Sequence, residues 1–456
     1  MSIAKRYHYP WHHRTFTAGK IGDLVPIFRA EVTPGDTFKG HVGQLARFWP
    51  AQTPLYNSMY MSTWYFFVPY RTVWDQWETY CVDMAMEGKS AQKIPQADPQ
   101  PWLFQNDEQN EKCSALPLFA YNHIWNNWFR DYDYTSPIAL TTQAKRGVAH
   151  HKDPFTTIRK YSAADTKVTL DPVTVTPITG FDAGGNVGVR SLASADSTFV
   201  FDIDQFHSRE DLYHERKKGR FFGDDYHNIM RRMGGLVRRS DDDTPELLCQ
   251  YQRRISNHDV VSTGAEADLG KYKGYHLGTK RDKFPARVFR EHGIILGLTA
   301  VRFEPVSRYF TPFEDMDPIA YGYQEADFPY PNRWFGQSLT KDMMVYRRQL
   351  APGNTSLGKD IMGVVEAHQN LRKCHDMCDN SLGDIWKAWL PSLPDIADTD
   401  KDMSKWIYAN DASYISTIDA EVFKGNPGYH FILKNHSRMS KISQIPPFAR
   451  EVNRKH

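Results

Sequence analysis

The chain has 456 residues, of which 41% are hydrophobic, 14% aromatic and 24% charged, with a formal net charge of +2. That hydrophobic share can bury a core and excludes wholesale disorder, while charges that nearly cancel exclude a protein whose overall field neutralises nucleic acid. Five cysteines are too sparse for a disulfide scaffold, and no apolar run approaches the roughly 20 residues of a membrane helix.

The basic, aromatic start, Met1–Lys20, has no apolar core of a secretory signal, so none is expected. The first seventy residues read as strands and turns. Val25–Val32 alternates loosely, Pro34-Gly35-Asp36 is a turn signal, Phe38–Phe48 alternates weakly, and Tyr60–Val68 is a strand rich in aromatics. The period then changes. Trp74, Trp77, Cys81 and Met84 recur at helical spacing, and a second helix begins near Pro117, with Trp125, Trp128, Phe129 and Tyr132 as its stripe.

Residues 135–200 read as loop, with hairpin-like alternation over Lys167–Ile178 and turn chemistry at Asp182–Asn186. A helical stretch is expected from Asp204 to Met233, strand from Phe284 to Phe303, and a helix around Asp360–Cys378. Strands at both ends enclose long excursions, the outline of a mainly β protein with one core and large insertions. The division expected is a single domain over 1–456, with inserted helical segments at 70–134 and 202–235 and a short surface loop or hairpin at 160–200.

No chemical motif is complete. Cys374-His375 and Cys378 resemble half a zinc site, but no second cysteine pair exists, and on a helix the two thiols would simply share a buried face. Asp398, Asp400 and Asp402 open like a calcium loop, yet Met403 and Ala409 stand where glycine and glutamate are needed. His12-His13 and His150-His151 would point apart on strands, and Asp241–Asp243 reads as a solvated loop. There is no nucleophile elbow or Walker loop, and Gly184-Gly185 with Gly188 lacks the strand–turn–helix setting of a dinucleotide site. No catalytic residue, metal or cofactor is therefore expected.

Basic clusters are the positive signal. Arg216, Lys217, Lys218 and Arg220, then Arg231, Arg232, Arg238 and Arg239, crowd into a short stretch, and Arg450 and Arg454 lie near the last residue. Phe221, Phe222 and Tyr226 could stack on unpaired bases while the cations hold phosphates. Against DNA contact stands a solvated or intersubunit ion-pairing face, since Asp224, Asp225 and Asp241–Asp243 lie among them.

Several strings in order resemble the major capsid proteins of the Microviridae, in particular the gokushovirus-like branch of these small single-stranded DNA bacteriophages. They are Ala18-Gly19-Lys20 with Asp23-Leu24-Val25-Pro26, and Val32 with Pro34-Gly35-Asp36-Thr37; then Thr53-Pro54, and Trp64–Arg71 with Trp74-Asp75 and Trp77. Next come Tyr121-Asn122 through Arg130-Asp131, Arg146-Gly147 through Phe155, Glu291–Gly297 with Val301-Arg302, and Ile442–Pro447, where Pro447 replaces a glycine. The departure lies between Ser162 and Ser197. There the family carries a long insertion that builds a threefold surface protrusion, and here the stretch is short and rich in Gly and Thr, which implies a low hairpin or loop.

The resemblance implies an eight-stranded antiparallel jelly roll of the viral capsid type with long helix- and loop-containing insertions. Sixty copies would self-assemble into a T=1 icosahedral capsid around circular single-stranded DNA, in a virion assembled in the bacterial host cytoplasm. Implied partners are neighbouring copies at the fivefold, threefold and twofold axes, the packaged DNA, a small basic DNA-binding peptide, an internal scaffolding protein, a minor or pilot protein and a host cell-surface receptor, without membrane insertion. Sixty copies at +2 carry about +120 in all, little against a genome's phosphates, so only local groups need touch the DNA. The alternative is a carbohydrate-binding jelly-roll module, a role that aromatic-rich sandwiches also serve.

Overall fold

The computed structural model describes residues 6–86, 90–105, 112–131, 134–142, 244–263, 271–304, 306, 337–340, 361–365, 388–391, 403–407, 412–423 and 428–445. All of them belong to one compact unit, contributed by residues 1–160 and 242–456. Its strands are β1 (Tyr7–Gly19), β2 (Val25–Val32), β3 (Thr37–Phe48), β4 (Met59–Pro69), the short β5 (Gln96–Ala97) and β6 (Cys113–Ser114), β7 (Glu246–Arg254), β8 (Ser256–Val261), β9 (Tyr272–Val288), β10 (Gly293–Phe303), β11 (Gln337–Thr340), β12 (Ile361–Val365) and β13 (Phe431–Ser443). The helices are α1 (Trp77–Met86), α2 (Leu116–Ile124), α3 (Ser404–Ile407) and α4 (Ala412–Glu421).

Two antiparallel sheets form the sandwich, one ordered β1-β13-β3-β9-β8 and the other β2-β10-β4-β7. Successive strands cross between them: β2 lies in the four-stranded sheet, β3 in the five-stranded one, and β4 back in the first. The last strand, β13, returns to lie between β1 and β3. This connectivity makes the fold mainly β and jelly-roll-like, the architecture expected from the sequence.

The core between the sheets is aromatic. Phe28 of β2, Tyr65 of β4 and Phe284 of β9 meet with ring centroids 5.7–6.4 Å apart, joined by Phe38, Phe303 and Phe431. A second core lies on the far side of the four-stranded sheet. There Trp64, Phe66 and Val68 of β4 and Ile294, Leu296 and Leu298 of β10 pack against Leu118, Tyr121 and Ile124 of α2. Because both faces are covered, β10 is buried at every position and β4 at all but Tyr60. That double cover explains why these strands read as continuous apolar runs. The helix α2 is itself buried nearly all round, with Pro117 in its first turn and a π-type turn over Trp125–Phe129 at its end.

Strings far apart in the chain meet at the edges of this sheet. Arg71 Nε lies 2.7 Å from Glu291 Oε2, and the Tyr70 backbone N–H donates to the His292 carbonyl at 3.1 Å. The Tyr121 hydroxyl donates to the Leu24 carbonyl at 2.8 Å, and Trp128 Nε1 donates to the Pro245 carbonyl at 3.0 Å.

Three readings need correction. Residues 361–365, expected to open a helix, form β12 paired with β11, where Ile361, Val364 and Val365 supply β-branched side chains suited to a ladder. The strand expected over Phe284–Phe303 is two: β9 ends at Val288, and β10 begins at Gly293 in the other sheet. Between them the Phe289 N–H donates to the Asp36 carbonyl at 2.9 Å, which fixes the corner. Third, no strand is expected from the sequence beyond Phe303, yet Phe431–Ser443 forms the 13-residue β13. The stretches Lys167–Ile178 and Asp204–Met233 lie outside the described residues.

Candidate nucleic-acid interface

The four strands β1, β13, β3 and β9 hold one acidic residue among them, Asp282, and it points inward. Period-two alternation divides their cations into two sets. The inward ones are paired. Lys280 Nζ lies 3.4 Å from Asp282 Oδ1 and donates to the Tyr251 carbonyl at 2.7 Å, while Gln44 Nε2 and the Tyr65 hydroxyl donate to Asp282 Oδ2 at 2.8 and 3.2 Å. Burial pushes the Lys280 amine down to about 8 and raises the Asp282 carboxyl, with the charge of each acting in the opposite sense on the other. Lys441 Nζ sits 2.9 Å from Asp36 Oδ2. Burial opposes ionisation of Asp36, yet hydrogen bonds from Ser443, Thr33 and Lys441 outweigh it and hold the carboxyl below its usual range.

The outward cations are of another kind. Arg14, Lys39, Arg47, Arg281, Lys283, Lys434 and Arg438 are all exposed, and none has a carboxylate partner among the described residues. Strand register sets them in rows. One runs His12, Arg438, His41, Lys283 across β1, β13, β3 and β9, and the next runs Arg14, His436, Gly43, Arg281. Like charges on neighbouring strands cost stability, and imidazoles or glycine stand between the permanent charges in both rows. His436 registers the local field: desolvation and then the charges of Arg438, Arg14, His12 and Lys434 hold it below the ordinary histidine range. Phe16 is 64% exposed and Tyr275 42%, so two aromatic rings stand on the same face. A surface of unpaired cations with interspersed rings can hold a flexible polyanion through its phosphates without reading its sequence.

The residues that the sequence nominated for DNA contact are not among those the structure describes. Arg216, Lys217, Lys218, Arg220, Arg231, Arg232, Arg238, Arg239, Arg450 and Arg454 all lie outside the described residues, as do Cys374, Cys378, His150, His151 and the acidic run Asp241–Asp243. Of the two described histidine neighbours, His12 points out and His13 turns in against Phe28, with centroids 5.1 Å apart. Among the described residues no group of three or more His, Cys, Asp or Glu side chains gathers as a metal site. The basic rows did leave a signal in the sequence. Lys434, His436 and Arg438 alternate in a stretch free of acidic residues, but they are spaced too widely to look like a basic cluster.

Fold and surface together are those of a jelly-roll structural protein. Comparison with known proteins carries this further: the model of the family described as capsid protein (F protein) matches residues 1–167 and 190–374. The chain belongs to that phage capsid protein family, which is structural and not enzymatic. Similar proteins include capsid protein VP1 of Bdellovibrio phage phiMH2K, 33% identical over 135 residues, covering 26% of this chain and 25% of the relative. Capsid protein F of Escherichia phage G4 is 25% identical over 317 residues, covering 66% of this chain and 67% of that one. Capsid protein VP1 of Chlamydia phage 1 is 29% identical over 156 residues, 30% of this chain and 26% of the relative. The chain thus spans about a quarter of the two VP1 relatives and two thirds of the G4 protein. Family membership decides between the two classes weighed from the sequence in favour of a capsid protein, a component of the phage virion, over a carbohydrate-binding module. No described helix is long and apolar enough to cross a membrane.

Proposed function

We propose that this chain is the major shell subunit of a small single-stranded DNA phage, that sixty copies close an icosahedral shell, and that the outer face of the five-stranded sheet is the genome side. The observation that carries the orientation is the pair of cationic rows without a carboxylate between them. A net charge of +2 leaves no general field to attract DNA, so contact depends on such a local patch. Single strands suit the patch, because their backbones bend to follow charges on a twisted sheet and their bases are free to stack on Phe16 and Tyr275. The clusters at 216–239 and Arg450 with Arg454 extend this reading as further phosphate contacts. A small basic peptide supplies the remaining countercharge, and scaffolding and pilot proteins and a host receptor complete the partners.

The test is a triple variant, Arg47→Gln, Arg281→Gln and Lys434→Gln, assembled in infected cells. Shells should sediment normally yet release DNA at lower salt, the log–log salt slope falling by about 0.7 per lost phosphate contact. Wild-type DNA content together with an unchanged salt-release curve would sink the genome-side assignment.

A further inference from the structure

Among the described residues the basic face has a concave place. A cavity of about 420 Å³ opens across β1, β13, β3 and β9. Its rim carries Lys39, Lys283 and Arg438, and the imidazoles of His8, His12 and His41 stand between them. The exposed side chains of Pro10 and Ala286 give it an apolar floor, with the buried Phe284 and Met439 beneath, and among the described residues no carboxylate lines it.

Strand register explains why a hollow occurs here. The β3–β9 pairing shifts between Phe38, opposite Arg287, and Gly40, opposite Phe284, so Lys39 alone faces Pro285 and Ala286. This is a bulge, and Pro285 has no N–H with which to close the ladder. Across the hollow β3 runs close to β13: a Cβ on Gly40 would stand 2.3 Å from the Arg438 carbonyl oxygen and 2.8 Å from Met439 Cα. Gly40 permits this close approach of the two backbones, and beneath it Phe284 and Met439 keep their side chains in the core.

We infer that this cavity seats one unpaired nucleotide of a single strand, its base on the apolar floor and the flanking phosphates on Lys39, Lys283 and Arg438. The inference rests on the genome-side reading and sharpens it from a charged face to a defined seat. The volume falls within the range of small-ligand pockets, about 300–1,000 Å³. A lined hollow takes a base only when that base has left its stack, so the seat discriminates against duplex. The cations answer phosphate geometry from three strands, and the floor gives every base the same flat apolar contact.

The experiment measures binding of a fluorescent oligothymidylate and of a duplex of equal length to the full-length protein. Ala286 is exposed on the bulge, so Ala286→Trp fills the hollow without removing a charge. It should weaken single-strand binding roughly tenfold, the loss of one stacked base, and leave duplex binding and the salt slope unchanged. Lys39→Gln with Lys283→Gln should weaken both substrates. If Ala286→Trp binds single strands as wild type does while Arg47→Gln with Arg281→Gln binds less, the seat is wrong and the charged face stands. If neither variant changes binding, both readings fall. Independently of any substitution, an oligonucleotide bearing 5-iododeoxyuridine should photocrosslink the unaltered protein at residues 284–286 or 438–440. Crosslinks found only elsewhere on the sheet overturn the seat.

Discussion

The two sheets of the sandwich put their outer faces to opposite uses. In the four-stranded sheet, α2 and its following turn cover the outside, so β4 and β10 are buried on both sides. In the five-stranded sheet, β13 is buried at every second position, from Phe431 to Ser443, and the intervening residues include Lys434, His436 and Arg438. One sheet supplies two layers of core. The other supplies one layer of core and one of charge. The doubly covered core and the proposed DNA contact therefore fall on different strands, and a change on one sheet should leave the other's task largely intact.

The largest expected effect breaks the polar cluster between the sheets. Asp282→Ala leaves Lys280 buried without its partner and should cost about 3–5 kcal/mol in denaturant unfolding. The double variant Lys280→Met with Asp282→Leu should restore most of that loss, because both charges leave together. A double variant as unstable as the single one would show that the hydrogen bonds to Gln44 and Tyr65, and not the charges, hold this region.

Acid should act next. His276 is almost fully buried beside Phe48, and burial, followed by the charge of His258, lowers its imidazole to about 4. Below pH 6.5 the unfolded chain takes up a proton that the folded chain refuses, so the contribution is complete above pH 6.5 and declines as pH falls toward 4. The loss by pH 4 is about 3 kcal/mol from this group. Asp282, whose carboxyl is raised by burial, acts in the opposite sense and offsets part of it. Thermal unfolding of His276→Asn across pH 4–7 should show a shallower acid limb than wild type. An identical limb would assign acid sensitivity to other groups.

Glycine substitutions separate the sheets more finely. A Cβ on Gly293 in the four-stranded sheet would lie 2.4 Å from the Val68 carbonyl oxygen, whereas on Gly43 in the five-stranded sheet its nearest neighbour is the His436 carbonyl oxygen at 3.8 Å. Gly293→Ala should cost about 1–3 kcal/mol and Gly43→Ala under about 0.5 kcal/mol. Equal costs would remove the distinction between a face packed on both sides and one left open. Smallest of all, Arg281→Gln and Lys434→Gln should change unfolding free energy by less than about 0.5 kcal/mol. Substantial destabilisation by either would mean that these cations serve folding and not a ligand.

Much of the four-stranded side was readable in advance. Val25–Val32, Tyr60–Val68, the turn at Pro34-Gly35-Asp36 and the helical spacing after Trp74 all declare themselves, because large apolar residues at a regular period have one way to be buried. The family strings lie largely on this side as well, and their meeting through Arg71 and Glu291 gives them a structural reason. The five-stranded side was harder. In β13 the inward positions include Asn435, Ser437, Lys441 and Ser443, so apolar alternation is broken and the stretch does not read as a strand. Lys441 is tolerated there only because Asp36, from a turn some four hundred residues earlier, lies against it. β7 and β8 were missed for a related reason, since β8 is largely exposed and β7 closes on the polar residues Gln250, Gln252, Arg253 and Arg254, all exposed.

By itself the sequence determined the mainly β character, the position of several strands and turns, and membership in a capsid family, since these follow from local period and from ordered strings of residues. The tertiary structure alone decided which cations would stand together. The direction of a side chain is set by its own strand, but its neighbours are set by pairing, and β1 pairs with β13 across nearly the whole chain. Lys39, Lys283 and Arg438 are scattered in the sequence, and strand register gathers them around one hollow.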